Sequence, residues 1–116
     1  MELANRSDNE ILAVVDPIMD NLMAASTSID HARHVRDFTD RLKAIVTPAN
    51  LDRICRSYQE KWGFLDRREF VAVFRRKNSI AVVWKQFCTK TDDEFVAELV
   101  LVEEGGRYLV DHVVFF

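Results

Sequence analysis

Only three glycines, two prolines and two cysteines occur in these 116 residues, and no long apolar run is present. So little Gly and Pro, beside 48% hydrophobic and 30% charged residues, excludes a disordered or low-complexity chain. Cys55 and Cys88 fall in different expected elements with no pairing motif and no zinc-type spacing, so both read as small buried hydrophobes. No stretch approaches the roughly 20 apolar residues needed to cross a bilayer, so no membrane partner is expected. A cationic excess is missing too: 16 Lys and Arg stand against 19 Asp and Glu. That balance argues against nucleic acid as a partner, because displacing counterions from phosphates takes clustered positive charge. The basic runs Arg67-Arg68 and Arg75-Arg76-Lys77 read as solvated strand edges and a hairpin tip. There is no Ser-His-Asp order, no reactive-cysteine context and no glycine-rich phosphate loop, and no cofactor is implied. Met1 to Glu10 has no apolar core of the secretory kind, which makes a cytoplasmic location the expectation.

What is present is a change of rhythm at Gly63. Before it, apolar residues recur every three or four positions; after it come four runs rich in Val and Phe, separated by turn residues. The length suits one core, so residues 1–116 read as a single domain with residues 1–7 as a flexible N-terminus. The first helix is expected from about Asp8 to Ala25, with Ile11, Val15, Ile18 and Leu22 on one stripe and a fresh start at Asp16-Pro17. The second spans Ser28 to Ile45, with Val35, Phe38, Leu42 and Ile45 as its buried line. The third has the clearest punctuation, with Thr47 as cap, Pro48 in the first turn and Gly63 as the stop.

Strands are expected at Asp66 to Arg76, Ser79 to Thr89, Glu94 to Glu103 and Arg107 to Phe116, joined by short turns into an antiparallel meander. A two-residue Gly105-Gly106 loop sets Glu104 against Arg107, Leu99 against His112 and Phe95 against Phe116. A loop at Lys90 to Asp93 sets Glu98 against Lys85 and Leu99 against Trp84. That register gives an inner face containing Trp84, Gln86, Leu99, Tyr108 and His112, together with Val114 and Phe116. The other face carries Val83, Lys85 and Phe87, then Val96, Glu98, Val100 and Val102, then Leu109, Val113 and Phe115. It is too apolar for a solvated surface, and a homodimer packing sheet against sheet through these residues is the expected cover. Phe70, Ala72 and Phe74 share one side of the first strand, but which side faces inward stays open.

Asp16-Pro17 with Asp20-Asn21-Leu22, Phe38 and Leu42, Thr47-Pro48, Gly63 and the closing Val114-Phe115-Phe116 resemble the small bacterial and archaeal domains of the nuclear transport factor two-like superfamily. This is the cystatin-like α+β roll. The resemblance implies three N-terminal helices packed on the concave face of a curved four-stranded antiparallel meander, with a pocket between them. Superfamily members range from isomerases and dehydratases to ligand binders and assembly modules, so fold alone does not choose the function.

Tyr58, Trp62, Trp84, Gln86, Leu99, Tyr108 and His112 are the candidate lining of such a pocket, which would take a small apolar ligand. His112 with Tyr58 or Gln86 could serve a small lyase or isomerase, since imidazole titrates near neutral pH. The commoner role for a buried histidine is a single structural hydrogen bond. His31 and His34, three apart with Asp30 and Asp37 nearby, suit a metal only with a further ligand, and no metal is expected. Asp16, Asp20 and Asn21 read as helix-terminus groups. Together these features favour a non-enzymatic dimeric interaction or small-ligand-binding domain.

Overall fold

The computed structural model describes all 116 residues. A short 3-10 turn at Glu2–Asn5 leads into α1 (Asp8–Ser28), α2 (His31–His34), α3 (Asp40–Ile45) and α4 (Pro48–Trp62). Four strands follow: β1 (Leu65–Arg75), β2 (Ile80–Cys88), β3 (Thr91–Glu104) and β4 (Arg107–Phe115). They pair in the order β1-β2-β3-β4, each neighbour antiparallel, so the expected α+β order and curved meander are present, with four helices in place of three. No helix is long and apolar enough to cross a membrane.

Local chemistry explains the helix ends. Ser7 and Glu10 form a reciprocal capping box at the start of α1. Thr39 and Thr47 cap α3 and α4 by accepting from Leu42 and Asn50 backbone N–H groups at 3.3 and 3.2 Å. Pro17 does not restart α1. It costs one backbone hydrogen bond, and the continuous helix keeps Ile11, Val15, Met19 and Leu22 buried along one stripe. Within residues 1–7, Leu3 and Ala4 join the core, and the Met1 ammonium donates to the Lys77 carbonyl at 2.7 Å.

The expected Ser28 to Ile45 helix is broken by the sheet. Phe38 forms a parallel bridge to Val110 on the edge of β4. Thr39 N–H donates to the Val110 carbonyl at 2.9 Å, and Val110 N–H donates to the Asp37 carbonyl at 2.7 Å. An edge strand offers unpaired backbone groups, and these three residues leave the helix to satisfy them. Phe38 is thereby driven into the core.

Two registers differ from expectation, with unequal consequences. Between β2 and β3 the turn is Thr89-Lys90 followed by a bulge, so Val82 faces Leu99 and Val83 faces Glu98. Lys85 therefore faces Val96, not Glu98, and Trp84 faces Ala97, not Leu99. This slip of two leaves every side chain on its expected face, and Lys85 meets Glu94 at 3.2 Å instead. Between β3 and β4, Gly105 and Gly106 (φ 58° and 76°) make the expected two-residue turn and Glu104 faces Arg107. A bulge then inserts Asp111, so His112 faces Val100 while Leu99 faces Val113. Phe116 pairs with Val96 and not with Phe95. One residue of offset exchanges faces: His112, Val114 and Phe116 turn outward, and Val113 and Phe115 turn inward. The bulged Asp111 carboxylate accepts from Thr39 Oγ1 at 2.9 Å and Arg41 Nε at 3.1 Å, so contacts to α3 hold the bulge.

A further bulge settles β1. Phe70 faces Trp84, whereas beyond the bulge Ala72 faces Val83 and Phe74 faces Ala81, so Phe70 lies inside and Phe74 outside. Arg68 ties β1 to α1 through Asp16 and Asp20 at 3.0 and 2.8 Å, with its guanidinium over Trp84. Asp16 and Asp20 thus sit within the helix as partners of an arginine. Asn21 accepts from Arg33 Nε at 2.8 Å. The main core joins α1 and Phe38 to Val82, Trp84, Leu99 and Leu101. A smaller cluster of Leu51, Cys55 and Tyr58 lies under α4.

Candidate functional site

A cavity of about 190 Å³ lies between α1, α4 and the inner face of the sheet. Small side chains leave it open: Ala97 occupies the sheet wall, and Ser26 and Cys55 occupy the helical walls. Met19, Leu22, Leu51 and Phe115 supply most of the apolar lining. At one end the lining residues Ile54 and Val114 are 51% and 41% exposed, so the space opens to solvent beside β4.

Polar groups in the walls are few. Ser26 Oγ hydrogen-bonds to Tyr58 Oη at 2.6 Å and to Cys55 Sγ at 3.3 Å. Burial pushes both the Tyr58 phenol and the Cys55 thiol up from their ordinary pKa values, against the opposing pull of these hydrogen bonds, so neither is an activated anion. Gln86 is 1% exposed. Its Nε2 donates toward the carbonyls of Asp66 and Phe87 at 3.0 and 2.9 Å, with that of Arg67 at 3.3 Å. This cage of acceptors fixes the amide orientation and leaves Oε1 without a partner. His34 Nδ1 is also buried and unpartnered, and the ring packs edge-on against Phe38. No Asp, Glu, Lys or Arg lines the space. Its lining is without ionic side chains and is almost wholly apolar.

Desolvation, helped by the charge of His31, pushes the His34 pKa down to about 4, so the ring is neutral at pH 7. The native state therefore binds fewer protons than the unfolded chain between the unfolded value near 6.5 and about 4. The His34 contribution is fully present above the upper value and is lost as pH falls through this window, by up to about 3 kcal/mol. Urea unfolding at pH 7 and near pH 4 should show the loss, and a His34→Gln variant should show a smaller one. An equal loss in the variant would assign the acid sensitivity elsewhere.

Of the residues expected to line a pocket, Tyr58 and Gln86 do so here. Trp62 packs against Phe95 and edge-on against Phe115, in an adjoining shallow groove at the end of α4. Trp84 floors a second cleft beside Arg68, Leu99 is wholly buried in the main core, and Tyr108 packs on that core's margin. His112 lies on the outer face, 3.1 Å from Glu98 Oε2. It is thus on the opposite side of the sheet from Tyr58, and the two do not form a common site. The bulge at Asp111, invisible to strict alternation, accounts for this.

The same bulge corrects the outer face. Val83, Lys85, Phe87, Val96, Glu98, Val100, Val102 and Leu109 lie there as expected. Val113 and Phe115 pack inward against the core, and Val114 and Phe116 take their places. His31, Asp30 and Asp37 go to separate partners. His31 Nε2 meets the Val46 carbonyl at 2.8 Å, Asp30 caps α2, and Asp37 pairs with Arg36 and Arg107. Ser26, Cys55 and His34 complete the cavity without any motif that would have marked them.

No family model matches the chain, and no curated protein matches it in sequence. Solved structures do match its fold. One, from Thiobacillus denitrificans, is provisionally named a calcium/calmodulin-dependent protein kinase type II association domain. It is 15% identical, with a TM-score of 0.60 over 86% of this chain and 91% of that one. Another, Bd1075 of Bdellovibrio bacteriovorus, is 9% identical with a TM-score of 0.53, over 89% of this chain and 39% of its own length. At such identities the likeness is one of fold alone.

Proposed function

We propose that this chain is a non-enzymatic association module of the nuclear transport factor two-like superfamily, which pairs with a second copy of itself through the outer face of its sheet. The observation that carries the reading is a strip of apolar side chains on that face with nothing of the chain's own over it. Val83, Val96, Val100, Val102, Leu109 and Val114 are all partly or largely exposed. A monomer gains nothing from such a strip, whereas a partner removes it from water.

The charges around it favour a copy of the same chain over an oppositely charged partner. Lys85 is paired with Glu94, His112 with Glu98, and Arg67 with Glu69 while its guanidinium covers the Phe87 ring at 3.7 Å. Polar ends that are bonded within the face leave its apolar strip as what a second copy meets across a two-fold axis. Four strands about 4.8 Å apart and about nine residues long, at roughly 3.3 Å per residue, project about 600 Å². Side-chain relief brings that to the scale of one side of a standard interface, about 800 Å². The Thiobacillus protein is named for association, and its shared fold supports the same reading.

Size-exclusion chromatography with light scattering tests it. The expected mass is twice the 13.5 kDa of one chain. A single-chain mass at high micromolar concentration would remove the proposal.

A further inference from the structure

We propose that self-association through the outer face is switched by pH at the pair formed by His112 and Glu98, tightening as pH falls from about 8 to about 6. The switch rests on the face-to-face pairing proposed above and supplies its regulation.

Position comes first. Glu98 stands in the middle of the outer face, with Val83 beside it on β2, Val114 beside it on β4, and Val96 and Val100 before and after it on β3. It is the one carboxylate among these valines. The other charges of the face pair off at its Phe87 end, Lys85 with Glu94 and Arg67 with Glu69. What Glu98 has is His112, whose Nε2 lies 3.1 Å from its Oε2. The charged groups around the imidazole are this carboxylate from β3 and Asp111 from its own strand, and Asp111 is already bonded to Thr39 and to Arg41 of α3. No element of the chain covers the outer side. The His112 and Glu98 side chains are 45% and 37% exposed, so both reach water in one copy and lose it in a pair.

Charge follows from position. With the imidazole neutral, its Nε2–H donates to the carboxylate, and each face keeps one net negative charge at its centre. Two copies related by a two-fold axis bring two such charges together in a surface closed to water, where repulsion and desolvation both oppose pairing. Protonation at Nδ1 makes the pair ionic and the face neutral. The dimer therefore binds more protons than two separate chains, by up to about two, and a state that binds more protons gains as pH falls. Imidazole is the side chain whose charge changes between about pH 5 and 8, which sets the range of the switch.

Sedimentation velocity over a dilution series at fixed ionic strength measures the dissociation constant, with circular dichroism confirming the fold at each pH. For the wild-type chain the constant should fall by at least about tenfold between about pH 8 and pH 6. Glu98→Gln should reverse the sign. Its neutral amide permits tight pairing at the higher pH, whereas at the lower one protonated His112 becomes the lone charge in the interface. His112→Gln should associate weakly and equally at both, because Glu98 then has no cation at either. Both positions are on the exposed face, so these substitutions spare the core. A dimer whose constant does not move with pH, or a Glu98→Gln dimer that tightens on acidification as the wild type does, would overturn the switch and leave the association reading standing. A wild-type chain that stays monomeric at both pH values up to high micromolar concentration would remove both.

Discussion

Val100→Lys is expected to convert the proposed dimer to a monomer with the fold intact. Val100 sits on the outer face between Ala81 and His112, and in a single chain it is only partly buried. A lysine there can run its methylenes along the strip and hold its ammonium in water, so the isolated chain tolerates it. In a face-to-face pair the same ammonium is buried, twice over by symmetry. The nearest carboxylate on its own strand, Glu98, is already bonded to His112. An uncompensated buried charge costs several kcal/mol, enough to shift association by orders of magnitude. The measurement is molar mass by light scattering beside circular dichroism: the mass should halve while the spectrum of the folded chain is kept, with the thermal midpoint lowered only by the lost association. Val113→Lys is the internal control. Val113 packs against the core, so its lysine variant should lose the fold itself. A dimeric Val100→Lys variant, or a folded Val113→Lys monomer, would show that the two faces are assigned wrongly.

Gly63→Ala is expected to destabilise the chain by at least about 3 kcal/mol, the combined cost of a disfavoured backbone and a core-like clash. Gly63 has φ 83° and ψ −150°, a region that side-chain-bearing residues scarcely enter. A Cβ there would lie 2.2 Å from Thr89 Oγ1, 2.9 Å from Lys90 Cγ and 3.0 Å from the Lys90 backbone nitrogen. Neither Thr89 Oγ1 nor the Lys90 nitrogen can retreat freely. Thr89 Oγ1 accepts from Phe64 N–H at 2.9 Å, and Lys90 N–H donates to the Trp62 carbonyl at 2.9 Å, so the end of α4 is fastened to the β2–β3 turn. With urea slopes of roughly 1–3 kcal/mol per molar for small domains, the unfolding midpoint should fall by about 1 M or more. A shift within a few tenths of a molar would mean the joint relaxes and is not the constraint described. Gly105 and Gly106 have open space around them, so their conformation and not their size is what a substitution would disturb.

The one residue where the hydrophobic period changes is thus the mechanical joint between the helical and extended halves. It was legible because helix stops, helix caps and alternation are local signals. Thr47-Pro48 begins α4 and Gly105-Gly106 makes its turn through chemistry within a few residues. Tyr58 and Gln86 could be placed in a pocket for the same reason: one lies on the apolar stripe of a helix, the other on the inner parity of a strand upstream of any bulge that reverses it. Ser26 and His34 could not. A serine late in a helix and a histidine in a four-residue turn acquire meaning only from what packs over them.

Residue order and type therefore decided that helices precede an antiparallel meander, where most elements begin and end, and that the outer face is greasy. The tertiary structure alone decided which β4 side chains belong to that face. Asp111 bulges to reach Thr39 and Arg41, which lie 72 and 70 positions earlier in the chain. Such a bond stabilises nothing until the chain has folded back on itself. A two-residue period carries no trace of it, yet one inserted residue sends His112 out of the pocket and Phe115 into it.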